Sequence, residues 1–433
     1  MVQNNNKKQK FVCVLIFFIL ALFLRIAFFH VIGINKKIDY FNQENLNQAR
    51  RSLIDGGGLI RDELDYQEIA VSIANGDGFS RSGGKPTAFR APGFPTFLAI
   101  IFIVFGYSIY VGVLANIMIS ALTVIPLFYL ASKLFSIRIA SIACLIYSFY
   151  PLSIFWSNGI YTEPLFVFLL ITSFWLFVIN VSEKIKGFYQ ILFFIFLSFA
   201  SLIKPYILVF FVLYILCYLI KKRLNFWEIT GIVMYIIIFS LWPIRNYYTL
   251  GKFSLGSNSG LNFWVGSAGK IKHGLTFISG GTYNYEKELL KDVDNPEDEF
   301  SVQNMFMHKA FETIKEHPFE YLKVVFFKIL WMWKFWPLKS SILKFLVYSG
   351  GFLIIYVPAI IVFLNKRYRV GIFESKKIKS AFYFLLGLIL VFTIVSAVYW
   401  PLGRFRYPID IVILPFTAYG INVILDLFKL KFF

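Results

Sequence analysis

The fold class predicted for these 433 residues is an all-α, polytopic integral membrane protein, and three observations predict it. Hydrophobic residues make up 58% of the chain and charged ones only 15%, whereas a soluble domain is nearer half apolar and about a quarter charged. Apolar runs of about twenty residues, the length of a bilayer-crossing helix, recur along the sequence. Every second short break between them is basic, as expected of a chain that crosses repeatedly with an excess of cations on one side. The net charge of +19 is therefore read as sidedness first, and nucleic-acid binding is not needed to explain it.

In chain order, Lys7, Lys8 and Lys10 precede an apolar stretch from Phe11 to about Ile34. It is long enough to span and lacks a small-residue cleavage site, so a retained anchor is expected rather than a cleaved signal peptide. Arg25 lies inside that stretch, a costly position unless the guanidinium faces a partner. Further spans are expected near 109–131, 139–157, 162–181, 188–203, 206–220, 226–244, 345–364, 379–400 and 408–427, ten in all with the first. The breaks at Lys133 and Arg138, Lys184 and Lys186, Lys221 to Arg223, Lys366 to Lys379, and Lys429 and Lys431 are basic. This pattern places both termini in the cytoplasm. The organisation read from it is a tail and first span over 1–34, a first outer loop over 35–108, six spans over 109–244, a second long outer segment over 245–344, and three spans over 345–433.

The two outer segments are too long to be mere connectors. In the first, a helix is expected over Arg61–Ala74, then a turn punctuated by Gly and Pro from Gly76 to Pro95, then a short apolar helix ending at Gly106, best read as interfacial. The second opens rich in Gly and Ser, turns acidic through Glu286 to Glu299, and continues as amphipathic helices around Met305–Glu316 and Pro318–Trp336. There Trp331, Trp333 and Trp336 with Lys328 and Lys334 suggest a helix lying among lipid headgroups.

Within Arg61–Ala70, Asp62, Asp65, Tyr66 and Ile69 share one helical face. Two carboxylates on one face allow a general base that removes a proton from an acceptor hydroxyl or amine; an acidic cap on the helix dipole is the plainer explanation. Lys85 and Arg90 follow in the same loop, where a lipid phosphate could lie. Glu163 opens a helix just before Pro164, and a near-membrane carboxylate points to function, with a dipole-favoured helix start as the alternative. Arg245 follows Pro243 at an outer helix end. Arg404 and Arg406 share a face if their link is extended and diverge by about 200° if it is helical.

Several chemistries lack their signatures. Cys13, Cys144 and Cys217 lie in apolar runs without a CxxC, and His30, His273, His308 and His317 are scattered, so neither a disulfide framework nor a zinc hydrolase is expected. No GxxxxGK[ST] occurs. No cofactor is required by the pattern; a divalent metal near Asp62, Glu63 and Asp65 stays open, since those three residues alone define no coordination.

Taken in order, Asp62-Glu63-x-x-Tyr66-x-x-Ile69-Ala70, the Asn75-Gly76-Asp77-Gly78-Phe79-Ser80 turn, Gly84-Lys85-Pro86, Arg90-Ala91-Pro92-Gly93-Phe94-Pro95, Tyr161-Thr162-Glu163-Pro164-Leu165-Phe166, Leu202-Ile203-Lys204-Pro205, Trp242-Pro243-Ile244-Arg245-Asn246-Tyr247 with the Gly/Ser/Asn loop to Gly266, and Arg404-Phe405-Arg406-Tyr407-Pro408 resemble the blocks of GT-C membrane glycosyltransferases. The nearest branch is the one related to protein O-mannosyltransferases and lipid A aminoarabinose transferases, and Phe89-Arg90-Ala91-Pro92 follows the broader mannosyltransferase-like pattern. The resemblance implies transfer of a sugar from a polyprenyl-phosphate donor to a protein, lipid or glycan acceptor on the outer face, with inversion. It implies an acidic residue acting on the acceptor, where Asp62 matches best and Asp65 or Glu163 would be the second acid, and basic residues holding the lipid phosphate, for which Lys85, Arg90, Arg245, Arg404 and Arg406 are the candidates. A transporter of lipid-linked sugars would instead show internal symmetry and paired broken helices, and a non-catalytic subunit would use the acidic face only as a cap.

Overall fold

The computed structural model describes residues 2–33, 59–81, 84–182, 187–220, 225–273, 298–335, 342–366, 368, 373–399 and 403–428. Almost all of these lie in helices, numbered here in chain order. They are α1 (Val2–Phe28), α2 (Leu59–Ala74), α3 (Gly93–Phe105), α4 (Ile109–Leu122), α5 (Val124–Leu134), α6 (Ile137–Phe149), α7 (Pro151–Ser157), α8 (Glu163–Ser182), α9 (Gly187–Ile203), α10 (Ile207–Ile220), α11 (Phe226–Leu250), α12 (Ser259–Gly266), α13 (Ala268–His273), α14 (Glu299–Glu316), α15 (Pro318–Trp333), α16 (Ile342–Leu364), α17 (Lys376–Val398), α18 (Gly403–Val412) and α19 (Leu414–Leu427). One ribbon interrupts them: β1 (Ser80–Arg81) pairs antiparallel with β2 (Lys85–Pro86), Ser80 opposite Pro86.

The organising element is α8. Its sequence is apolar on every side, and a helix of that kind must be surrounded; it packs against α4, α5, α7, α9, α17 and α18, and nearly all its side chains are buried. Around it the other helices bury one stripe and expose another, as with Phe11, Ile19 and Phe23 on α1 or Ile236, Ile237 and Leu241 on α11. Exposed apolar stripes on long helices are what lipid contact requires. Among the described residues, five helices are long and apolar enough to cross a bilayer, up to seven if each bent pair counts as one span, with four shorter apolar helices beside them. The chain is an integral membrane protein.

Several sequence boundaries change. The expected span 139–157 is bent by 56° between α6 and α7, and 408–427 belongs to a pair, α18 and α19, bent by 61°. At the first bend Tyr150 is extended (φ −64°, ψ 115°) and Pro151 opens the next helix, because the residue before proline is driven from helical geometry while proline itself suits a first turn. Helix α11, expected to end near 244, passes through Pro243 and stops only at Gly251, whose φ of 69° closes it in the left-handed conformation. It begins with Asn225 and Glu228 capping each other's backbone N–H groups. Helix α14 starts earlier than expected, because the Asp298 carboxylate accepts from the N–H groups of Phe300 and Ser301. Trp336 and the acidic stretch before Asp298 lie outside the described residues.

Lys328 is a correction of another kind. Expected among headgroups, it is buried, and its ammonium donates to the carbonyls of Gly266 at 2.8 Å and Val398 at 2.9 Å. That tie fastens α15 to the ends of α12 and α17. Lys334 does stack on Trp331 at 3.8 Å, an interfacial arrangement. Arg25 also has its partners: Nε donates to Ser120 at 2.8 Å, Nη1 to the Ala21 carbonyl at 2.9 Å, and the guanidinium lies over Tyr147.

Candidate active site

The first turns of α2, the start of α8, the hairpin between α9 and α10, and the start of α18 meet at one end of the bundle. Arg404 joins them. Its Nη1 donates to Asp62 Oδ2 at 2.5 Å, its Nε to Glu163 Oε1, and its Nη2 to Glu163 Oε2 at 3.3 Å. Lys204, at the turn of the hairpin, stands 3.3 Å from the same Glu163 Oε1. From the first loop Arg90 takes the other oxygen of Asp62 at 2.7 Å and donates Nε and Nη2 to Asp65 at 2.9 and 2.5 Å. Arg81, on β1, completes Asp65 at 2.7 Å.

The three acids are therefore not equivalent. Asp65, 5% exposed, is enclosed by Arg81 and Arg90, and Glu163, 2% exposed, by Arg404 and Lys204. Asp62 keeps 20% of its side chain accessible, so it is the carboxylate an incoming group can reach. Burial pushes its carboxyl up, but the facing Arg90 and Arg404 guanidinium groups outweigh this and hold it well below the usual carboxylate range. Tyr66, one helical turn on, is pushed up to about 12, chiefly by burial. Its phenol stays neutral, packed edge-on against Phe94.

The helix of residues 403–412 settles the geometry of Arg404 and Arg406. Two residues apart on a helix, they point different ways. Arg406 is buried with its Nε 3.3 Å from Asp410, whose carboxylate also accepts from Tyr150 at 2.7 Å and Tyr356 at 2.5 Å. A guanidinium so placed is enclosed in the bundle beside Asp410, away from the Asp62 and Glu163 cluster that Arg404 joins.

Arg245 stands apart from Asp62 as well. Being within α11, it reaches back to donate to the carbonyls of Phe79 at 2.7 Å and Thr87 at 2.8 Å, and lies over Trp242 and Phe79. It lines an open cleft of about 520 Å³ with Asp77, Phe79, Pro86, Pro92, Trp242 and others. Ile73 also lines it, and Ile73 is roughly 16 Å from Asp62 along the helix axis at 1.5 Å per residue. Lys85, next to Pro86 on β2, is exposed. Cations are thus offered at two places, the cluster around Asp62 and this cleft.

Arg81 and Glu299 escaped sequence reasoning as site residues, and Glu63 and Lys204, read only within an acidic cluster and a family-like block, acquire partners that reading did not give. The Glu63 carboxylate, buried, accepts from the Ile160 N–H at 3.3 Å, and burial and its negative charge together push the Tyr161 phenol up. A Cβ at Gly159 would lie 2.3 Å from both Glu63 Oε1 and the Tyr161 ring, so only glycine fits there. The alternation of charge in Glu63 and Arg81 is visible in the sequence, but nothing local names their partners. Among the described residues, no group of three His, Cys, Asp or Glu side chains is placed to hold a metal ion.

This arrangement can be set beside known proteins. A family model described as dolichyl-phosphate-mannose-protein mannosyltransferase matches residues 89–244, a range that holds Arg90, Glu163 and Lys204. The archaeal oligosaccharyltransferase AglB from Archaeoglobus fulgidus, solved with an inhibitory peptide and a dolichol-phosphate, superposes over 98% of this chain with a TM-score of 0.53 and 12% identity. The chain shares the fold of that enzyme over nearly its whole length. The apo form of the A. fulgidus enzyme agrees, with a TM-score of 0.54 and 11% identity over 97% of this chain. The chain spans about half the length of those enzymes, 51% of each. ArnT from Cupriavidus metallidurans bound to undecaprenyl phosphate superposes less well, with a TM-score of 0.38 and 10% identity over 86% of this chain and 75% of that one. No curated protein matches the sequence.

Proposed function

We propose that this chain is a membrane glycosyltransferase that moves a sugar from a polyprenyl-phosphate donor to an acceptor hydroxyl or amine, with its site on the outer face and both termini in the cytoplasm. The observation that carries the reading is Asp62, a reachable carboxylate held charged between two guanidinium groups that a phosphate could also engage. The family match and the GT-C fold support the same class of reaction.

In the proposed reaction, Asp62 accepts the proton of the acceptor while the acceptor atom attacks the anomeric carbon from the side opposite the phosphate. The bond from that carbon to the phosphate oxygen breaks, and the lipid phosphate leaves with the electron pair and a second negative charge. Arg404 and Arg90, with Lys204 behind them, offset that charge, and such stabilisation is the largest contribution a site of this kind makes. Paired with Asp62 as they are, the two arginines weaken it as a base. A donor phosphate competes for the same N–H groups, and each one it draws away raises the proton affinity of Asp62 when the proton must be taken. Glu163 and Asp65 hold the arginines in place. Arg245, which lines the cleft, and Lys85, exposed beside the cleft residue Pro86, offer the first positive charge to a donor headgroup arriving from the lipid.

Purified protein given a radiolabelled polyprenyl-phosphate sugar and a crude acceptor fraction tests this. Covalent movement of label to the acceptor supports transfer. Passage of intact lipid across the bilayer without covalent transfer would make the chain a transporter, and neither result would leave it a non-catalytic subunit.

A further inference from the structure

Glu299, the first residue of α14, lies more than two hundred positions from the loop that carries Lys85 and Arg90, yet its carboxylate is bonded into that loop. Oε1 accepts from the Thr87 hydroxyl, and Oε2 accepts from the Ala88 N–H at 3.0 Å and from the Ser257 hydroxyl at 2.7 Å. Ser257 in turn donates its N–H to the Ala88 carbonyl at 3.1 Å. One carboxylate thus joins three stretches of chain: the first outer loop, the connection after α11, and the start of α14.

What it holds is the link between the two groups of cations. On one side of Thr87-Ala88 the chain runs back to Lys85 and the cleft; on the other it runs two residues on to Arg90, which grips Asp62 and Asp65. The Thr87 carbonyl also receives Arg245. Glu299 itself rests on a rigid base. Helix α14 packs on α12 so closely that a Cβ at Gly260 would lie 2.1 Å from the Gln303 carbonyl, and Gly266 at the end of α12 is tied to α17 through Lys328. A capping position alone does not need this, since Asp298 already caps the helix.

We infer that Glu299 is a positioning residue, a clamp by which the second outer segment fixes the Lys85–Arg90 loop for the donor phosphate. The inference rests on the glycosyltransferase reading above. Because hydrogen bonds to a charged acceptor are about twice as strong as neutral ones, losing three of them frees the loop, and misplacement by about 1 Å at a reacting site is enough for large kinetic effects.

The test compares Glu299→Ala with Glu299→Gln, which keeps one accepting oxygen, and with Glu312→Ala, an exposed residue on the same helix. Three quantities are read on the full chain in nanodiscs: hydrogen–deuterium exchange of residues 85–91, binding of polyprenyl phosphate, and separate donor and acceptor KM values. The clamp predicts faster exchange in 85–91 and about tenfold weaker polyprenyl-phosphate binding and donor KM in Glu299→Ala. The acceptor KM stays unchanged, the amide variant lies between, and Glu312→Ala matches wild type. A fall in kcat with donor KM and lipid binding unchanged, or unchanged exchange, would overturn it. If the wild-type chain transfers no label, the glycosyltransferase reading fails, while exchange and lipid binding still decide the clamp.

Discussion

Replacing Glu163 by Gln removes a charge that two cations depend on. Its carboxylate accepts from Arg404 through both oxygens and faces Lys204 at 3.3 Å, with 2% of the side chain exposed. Among the described residues no other carboxylate lies in contact with Lys204, so neutralising Glu163 strands a largely buried ammonium and leaves Arg404 with Asp62 as its remaining carboxylate partner. Breaking a buried pair by removing one member costs about 3–5 kcal/mol, because the remaining charge is still desolvated. Asp62→Asn differs: Arg90 keeps Asp65 and Arg404 keeps Glu163, and the amide oxygen still accepts from one of the two arginines, so one of the two Asp62 contacts is lost, at about 1–3 kcal/mol. Equilibrium unfolding in detergent measures both. The expected order is Glu163→Gln well below Asp62→Asn, with Lys204→Met recovering part of the loss in the Glu163→Gln background. Equal stability of the two single variants, or no recovery in the double, would refute the charge accounting.

Other expectations follow from the same contacts. The Asp62 carboxyl is held below its ordinary value in the folded chain, so the stability it adds is fully present above about pH 4 and is lost as pH falls toward the folded value. The stability difference between wild type and Asp62→Asn should therefore be flat from pH 7 to 5 and shrink below 4, as read by thermal unfolding at each pH; a difference that grows on acidification contradicts this. Gly159→Ala places a Cβ against Glu63 and Tyr161, and overpacking of this kind costs about 1–3 kcal/mol, seen as a lower unfolding midpoint. Lys328→Met leaves the Gly266 and Val398 carbonyls without their donor, at about 1–3 kcal/mol, with faster hydrogen exchange expected in α12 and the end of α17.

What could be read beforehand divides by the range of the forces involved. The helices, the short apolar α3 and the acidic face of α2 follow from periodicity and turn residues, which are local. The convergence of Asp62, Glu163 and Arg404 was legible only because alternating basic breaks put their helix ends on one side. Arg404 and Arg406 could not be separated until α18 formed, since an extended link would have pointed them the same way. Lys328 misled because a lysine among tryptophans suits a headgroup layer, and only the packing of α15 on α13 and α17 shows which carbonyls enclose it. Arg81 and Glu299 were missed, and Lys204 was seen only within a family-like block, for a shared reason: each is an ordinary charge in its own segment, and its partner comes from a segment that only the folded chain brings near.

The central claim is that Asp62 takes a proton while the Arg404 and Arg90 side receives a lipid phosphate. Turnover of radiolabelled polyprenyl-phosphate sugar by Asp62→Asn, measured beside its binding of polyprenyl phosphate, tests it most directly. Transfer reduced by about 10²–10⁴-fold, the usual worth of a general base, with lipid binding within a few-fold of wild type is the expected result. Turnover at the wild-type rate would contradict it.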